Sequence, residues 1–158
     1  MEQINMESPV GRLLLEGDEA GLHRIDFDGK PAGRNSACSA LKETVRQLSA
    51  YFAGELRAFD LPLQMRGTSF QLSVWRALQD IPYGETISYG ELARRIGNPK
   101  GSRAVGLANG SNPIPIIVPC HRVIGSNGKL TGYGGGLGRK ELLLALERGK
   151  AVAQAALF

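Results

Sequence analysis

Residues Ile116–Gly125, IIVPCHRVIG, run apolar up to Pro119 and then place Cys120 directly beside His121 and Arg122. Two readings of that cysteine compete: a core residue closing an apolar run, or a nucleophile with its base at hand. A free thiol is only a few per cent ionised at neutral pH. Making it mostly thiolate takes roughly 2 kcal/mol of extra stabilisation, which an adjacent imidazole or a helix N-terminus can supply. Neighbours in sequence point apart on a strand or helix, so cooperation between Cys120 and His121 requires a kink or an intervening water. Pro119 favours the kink.

The rest of the chain narrows the setting. Its 158 residues, 42% hydrophobic and 22% charged, suffice for one or two domains with a real core. No apolar run is long enough to span a bilayer, and the first residues lack a basic segment followed by an apolar one; a cytoplasmic, unprocessed protein is expected. Cys38 and Cys120 are the only cysteines, and a chain of this size needs no staple, so both are expected reduced. His23, Cys38, Cys120 and His121 form no zinc ligand set, and no metal is expected. Residues 1–66 carry 8 Lys/Arg against 10 Asp/Glu, whereas residues 67–158 carry 11 against 5. Such segregation suits a polyanionic partner for the second half.

The pattern predicts an α+β protein: a small N-terminal α/β domain with a short antiparallel sheet (1–66), then a mainly helical domain (67–158). In the first, strands are expected near 11–16 and 22–27 around a turn at Asp18–Gly21. A helix capped by Ser36 should run to Phe52 with Ala37, Leu41, Val45, Leu48 and Phe52 on one face. An edge strand is expected over 59–65, since Pro62 cannot donate to a ladder. His23 reads as structural. In the second, TSFQLSVWRALQDIP opens with hydroxyl caps, places Phe70, Val74 and Leu78 at helical spacing and stops at Pro82. TISYGELARRIG predicts a helix from Ser88 to Ile96, NPK a turn and GSRAVGLANGS a further short helix. That is a helix-turn-helix pattern, for which an ordinary αα corner is the alternative.

The last of these helices is nearly bare. Gly101, Ser102, Ala104, Gly106, Ala108 and Gly110 cost helix stability but allow close backbone approach. Arg103 alone projects far. Small residues and one long cation suit a narrow groove better than base-edge reading. The glycine-rich GSNGKLTGYGGGLGRK contains no phosphate-loop motif; its glycines suggest backbone approach to a ligand. RKELLLALERG predicts a final amphipathic helix with Glu147 near its end.

NGSNPIPIIVPCHRV, with RAVG before it and TGYGGG…RKELLLALE after it, resembles the O6-alkylguanine-DNA alkyltransferase family. The likeness covers the C-terminal half from FQLSVWRAL to Glu147, and P-C-H-R-V with the upstream N-P-x-P is its specific core. The resemblance implies a helix-turn-helix in the DNA minor groove and a damaged guanine rotated into a pocket beside the cysteine. By that likeness Cys120 is a reachable alkyl acceptor, His121 its base through a bound water, and Glu147 the group orienting His121. Tyr89 rotates the nucleotide and donates a proton to the leaving guanine, and Asn112 supports the turn around the cysteine. Pro115, Val123, Ser126, Tyr133 and Gly134 surround the flipped base; many members carry a serine at the position of Gly134. Arg103 fills the vacated place in the duplex, with Ser102, Gly90, Asn98, Tyr89 and Ser126 on the DNA. The implied partner is double-stranded DNA carrying O6-alkylguanine, with O4-alkylthymine left open. The implied protein is a monomer without cofactor, consumed in one turnover.

Three other functions fit the residues less well. A lesion-binding, non-repairing relative replaces the cysteine, and Cys120 opposes that. A cysteine hydrolase would need His23 as a second histidine. A transcriptional regulator would need a bulkier recognition helix.

Overall fold

Asp18 to Gly21 form a tight turn because a short acidic side chain and a glycine meet there. Oδ1 of Asp18 accepts from the Ala20 N–H at 2.9 Å. Gly21 has φ 146°, and a Cβ on it would lie 2.4 Å from the Pro62 carbonyl oxygen. The turn joins β2 (Leu13–Asp18) to β3 (Gly21–Phe27), and β1 (Glu2–Met6) completes an antiparallel sheet of order β1-β2-β3. The register sets Ile4 opposite Leu15 and Leu15 opposite Ile25. β1 is absent from the sequence expectation; its residues are exposed or half-buried, so it carries no clear period-2 signal. The computed structural model describes residues 1–36, 38–128 and 136–149, which divide into two units, Met1–Met65 and Arg66–Phe158. The fold is α+β.

In the first unit α1 (Ser39–Phe52) packs against β2 and β3. Leu41, Leu48 and Tyr51 meet Leu13, Leu15, Leu22 and Ile25 in the core. Two expectations are corrected here. The helix starts after Cys38, because the Ser36 hydroxyl accepts from the N–H of Cys38 itself (2.9 Å), two residues too early to cap it; Ala37 lies outside the described residues. Its buried face runs through Leu41, Thr44, Gln47, Leu48 and Tyr51, leaving Val45 and Phe52 half-buried. Gln47 goes inside because its amide pairs with both backbone groups of Asp60 at 2.9 Å. Those bonds take the backbone that a strand over 59–65 would have used, and only a parallel bridge, Leu22 to Leu63, forms there. His23 pairs with Asp18 at 3.2 Å.

The second unit begins with α2 (Ser69–Leu78), capped as its sequence suggests. The Thr68 hydroxyl accepts from the Gln71 N–H (3.0 Å) and the Gln71 side chain returns the bond (2.9 Å). Then follow β4 (Ile87–Ser88), α3 (Tyr89–Arg95, N-capped by Ser88) and α4 (Ser102–Gly110). A single 3-10 turn (Cys120–Arg122) leads into β5 (Val123–Ile124), and α5 (Leu137–Glu147) closes the described chain. α2 and α3 both pack on α4 over Val74, Trp75, Leu78, Leu92, Ala93 and Val105. The parallel pair β4–β5 sets Ile87 against Val123 and Ser88 against Ile124, which ties the start of α3 to the end of the cysteine turn. Among the described residues no helix is long and apolar enough to cross a membrane.

Replacing Thr68 with alanine is expected to lower the stability of the second unit by about 1 kcal/mol. Urea denaturation followed by the fluorescence of Trp75, which lies on α2, measures it; an unchanged midpoint would show that the cap contributes nothing.

Candidate active site

The segment before the cysteine is coiled by its own backbone. Nδ2 of Asn112 donates to the Val118 carbonyl (2.8 Å) while its Oδ1 accepts from the Ile114 N–H (2.9 Å), so one amide clamps both ends of the loop. Between them the Ile117 N–H bonds to the Pro115 carbonyl (2.9 Å) and the Cys120 N–H to that of Val118 (2.8 Å). Both are three-residue turns. Pro119, at φ −81° and ψ 65°, sits at the favourable inverse γ geometry. Ile116, fully buried, holds φ 74°, where a β-branched side chain stays only if its surroundings impose it. The kink expected at Pro119 is therefore present, and the 3-10 turn carries Cys120, His121 and Arg122 into the interior.

Four ionisable side chains besides the thiol converge there. His121 Nε2 lies 2.6 Å from Oε2 of Glu147. Arg122 grips the same carboxylate with two prongs, Nε to Oε1 at 2.8 Å and Nη2 to Oε2 at 3.0 Å. The Gly84 N–H adds a bond to Oε1 (3.2 Å). Burial alone would raise the Glu147 pKa, but His121 and Arg122 outweigh it and hold the carboxyl well below the usual carboxylate range. For His121 burial dominates: it drives the imidazole below its ordinary value against the pull of Glu147, and Arg122 and Lys140 push the same way. His121 is thus neutral. With Glu147 ionised, Nε2 carries the ring proton and donates it to Oε2, which leaves Nδ1 as an acceptor. That atom has no hydrogen-bond partner among the described residues.

Lys140, fully buried, donates from Nζ to the Val123 carbonyl at 2.6 Å. Burial lowers its pKa and the neighbouring Cys120 raises it again. Arg122 and Lys140 against Glu147 leave one positive charge among the described groups, and an ionised Cys120 cancels it.

The predicted residues fall as follows. His121 and Glu147 come together at 2.6 Å, and Cys120, next to His121 in the chain, is only 5% exposed. Pro115 is buried. The Val123 carbonyl, expected to face a base, already accepts from Lys140. Ser126 is exposed in a turn closed by the Gly128 N–H on the Gly125 carbonyl (2.9 Å). Tyr133 and Gly134 lie outside the described residues. Tyr89 opens α3, and its ring would lie 3.8 Å from a Cβ on Gly106 of α4. Gly90 is half-buried in α3, and Asn98 sits in the turn, where its side chain fills the space a Cβ on Gly101 would need. Ser102 and Arg103 are exposed in the first turn of α4.

Sequence reasoning passed over Arg122, Lys140 and Asn109. Arg122 was in view beside the cysteine, and its two-pronged grip depends on Glu147, 25 residues further on. Lys140 in RKELLLALE looks like one polar residue of an amphipathic helix. Asn109 donates to the Cys120 carbonyl (3.4 Å) from α4 while its buried Oδ1 has no hydrogen-bond partner among the described residues.

Comparison with known proteins decides what the constellation belongs to. The family model described as 6-O-methylguanine DNA methyltransferase, DNA binding domain, matches residues 69–149, and that of its ribonuclease-like domain matches residues 4–65. The chain belongs to the 6-O-methylguanine DNA methyltransferase family. A methylated-DNA--protein-cysteine methyltransferase of Methanosarcina acetivorans is 60% identical over 147 residues, covering 89% of this chain and 94% of the relative. One from Mycolicibacterium paratuberculosis is 55% identical over 163 residues, covering 100% and 99%. A crystal structure of Mycobacterium tuberculosis OGT in complex with DNA superposes with a TM-score of 0.90 at 52% identity, covering 100% of this chain and 99% of that one. Cys120 lies within the part matched by the DNA binding domain model, next in the chain to the His121 that binds Glu147.

The network makes stability depend on pH. Below pH 6.5, the ordinary value for histidine, the unfolded chain takes up a proton that His121 in the fold refuses. Stability is therefore full above pH 6.5 and falls as the pH drops, by at most about 1.4 kcal/mol per pH unit for this group. Glu147 joins below pH 4.5, its ordinary value, with the same sign. Urea titrations over this range should show the slope, and His121→Gln should flatten its upper part.

Proposed function

We propose that this protein repairs O6-alkylguanine in duplex DNA by moving the alkyl group onto Sγ of Cys120 in a single, irreversible displacement. Sγ forms a bond to the alkyl carbon as the carbon–O6 bond breaks. The thiol proton passes to Nδ1 of His121 through a bound water, and the departing guanine takes a proton from the Tyr89 hydroxyl. The product thioether has no easy leaving group, so each molecule acts once. The step balances without any cofactor or metal. The observation that carries this reading is the neutral His121, pinned at Nε2 by Glu147, with Nδ1 left as a proton acceptor beside a cysteine in a family of cysteine-alkylating proteins.

The depth of Cys120 supports extrusion of the base, because a stacked guanine cannot bring its substituent to a sulfur that is 5% exposed. We read Arg103, exposed on a helix otherwise nearly bare, as the side chain that enters the stack when the base leaves. Extrusion costs a few kcal/mol, and charge-assisted hydrogen bonds of about 1.5–3 kcal/mol each can offset it. Ser102, Gly90, Asn98 and Ser126 are read as DNA contacts, and Pro115, Val123, Tyr133 and Gly134 as the walls of the base pocket. The 1–66 portion is read as support, the 67–158 portion as the DNA-binding and acceptor domain, and the whole as a cytoplasmic monomer; the absence of a disulfide between Cys38 and Cys120 suits a reducing compartment.

Incubation with an oligonucleotide carrying O6-methylguanine should add one methyl group, located on Cys120 by peptide mass analysis and absent from Cys120→Ala; an unmodified wild type would defeat the proposal. Arg103→Ala should slow reaction with duplex substrate by tenfold or more while leaving reaction with free O6-benzylguanine nearly unchanged. Equal losses on both would count against insertion of Arg103.

A further inference from the structure

Arg122 and His121 both bind the Glu147 carboxylate, and they do so unequally. Arg122 covers both oxygens of the carboxylate (2.8 and 3.0 Å), whereas His121 reaches one (2.6 Å). Arg122 is itself held on every side: Nη1 donates to the Ile81 carbonyl (2.6 Å), and the guanidinium carbon lies 5.8 Å from the centroid of the Tyr83 ring. It is 6% exposed, and the side chains of both His121 and Glu147 are fully buried. A two-pronged guanidinium on a buried carboxylate fixes its position and also neutralises its charge.

A buried histidine beside an unshared carboxylate is drawn toward the imidazolium form, as in any close His–Glu ion pair. Such a histidine has already spent its basicity and cannot take a proton from a neighbouring thiol. We infer that Arg122 is a positioning residue for the alkyl-transfer reaction: by claiming the Glu147 carboxylate it keeps His121 neutral, with the proton on Nε2 and the accepting lone pair on Nδ1. The charged groups facing His121 are Glu147 and Lys140 from α5 and Arg122 from its own turn, with Cys120 adjacent in the chain. Of these Glu147 alone draws a proton onto the ring, and the two cations oppose it. Without Arg122 one cation is gone and the carboxylate loses its two-pronged charged donor. Both changes push the imidazole toward its charged form. The carboxylate thus orients the ring, and the arginine decides how much of the carboxylate's charge the ring feels.

This inference rests on the proposed alkyl transfer for its kinetic arm only. Two variants separate the contributions: Arg122→Gln removes the charge and the fork, while Arg122→Lys keeps the charge and loses the fork. In the full-length protein, labelled at histidine, the His121 titration is followed by NMR from about pH 5 to pH 9. In parallel, the single-turnover rate with free O6-benzylguanine is measured over the same range. Expected is an upward move of the His121 midpoint by one pH unit or more in Arg122→Gln and by less in Arg122→Lys. The acid limb of the rate profile should move with it, so that a roughly tenfold loss at neutral pH recovers by about pH 9. A merely structural role would lower the melting temperature and scale the rate equally at all pH values with the midpoint unmoved, and that result overturns the inference. If Arg122→Gln does not fold, an unmoved His121 midpoint in Arg122→Lys overturns it as well. A wild type that shows the His121 shift on mutation but transfers no alkyl group would sink the proposed reaction and leave the control of His121 by Arg122 standing.

Discussion

A carboxylate with no access to water needs its hydration replaced, and for Glu147 the fork of Arg122, the ring of His121 and the backbone N–H of Gly84 contribute to that replacement. Burying such a charge alone would cost several kcal/mol. The donors come from the cysteine turn and from the loop before β4, while the carboxylate comes from the last turn of α5. Three segments far apart in sequence are thereby fixed around one pair of oxygens. Because β5 follows the turn directly and pairs with β4, the same fixed point reaches the first residue of α3, where Tyr89 stands.

The other anchor is the end of α4. Trp75 donates its indole N–H to the Ala108 carbonyl (2.8 Å), Asn109 donates to the Cys120 carbonyl, and Asn112 to that of Val118. The helix that carries Arg103 is thus joined at its far end to the backbone of the acceptor. Its small residues fit the same account: Gly106 leaves room for the Tyr89 ring, and α3 and α4 pack closely while the outer side of α4 exposes Arg103 and Leu107. A helix so poor in side chains gains little stability of its own and depends on these straps.

Much of this could be read from the chain. The capping box at Thr68, the cap at Ser88, the turn at Asp18–Gly21 and the kink at Pro119 all have local causes, and local causes leave local marks. What escaped has distant ones. Arg122 and Lys140 are charged residues whose burial depends on an acceptor elsewhere in the unit, the Glu147 carboxylate and the Val123 carbonyl, and a charged residue in a sequence reads as solvated. The phase of α1 was misjudged because Tyr51 and Phe52 are equally apolar on paper, and because Gln47 is drawn inside by the backbone of Asp60. β1 is recognisable only once β2 is there to pair with it. The His121–Glu147 pairing was legible through the resemblance carried by P-C-H-R-V. The ownership of its charges was not.

Ile116 adds a consequence of a different kind. A side chain branched at Cβ held at positive φ costs of order 1–3 kcal/mol that neighbouring packing has to supply. Glycine would relieve the crowding yet enlarge the disordered ensemble that folding must overcome, so the position offers no simple route to a sturdier protein. The bend that presents the sulfur is held from outside and is not preferred by its own backbone. The approach to Cys120 therefore owes its shape to the packing around a fully buried side chain, and a cavity opened beside Ile116 would be felt at the sulfur.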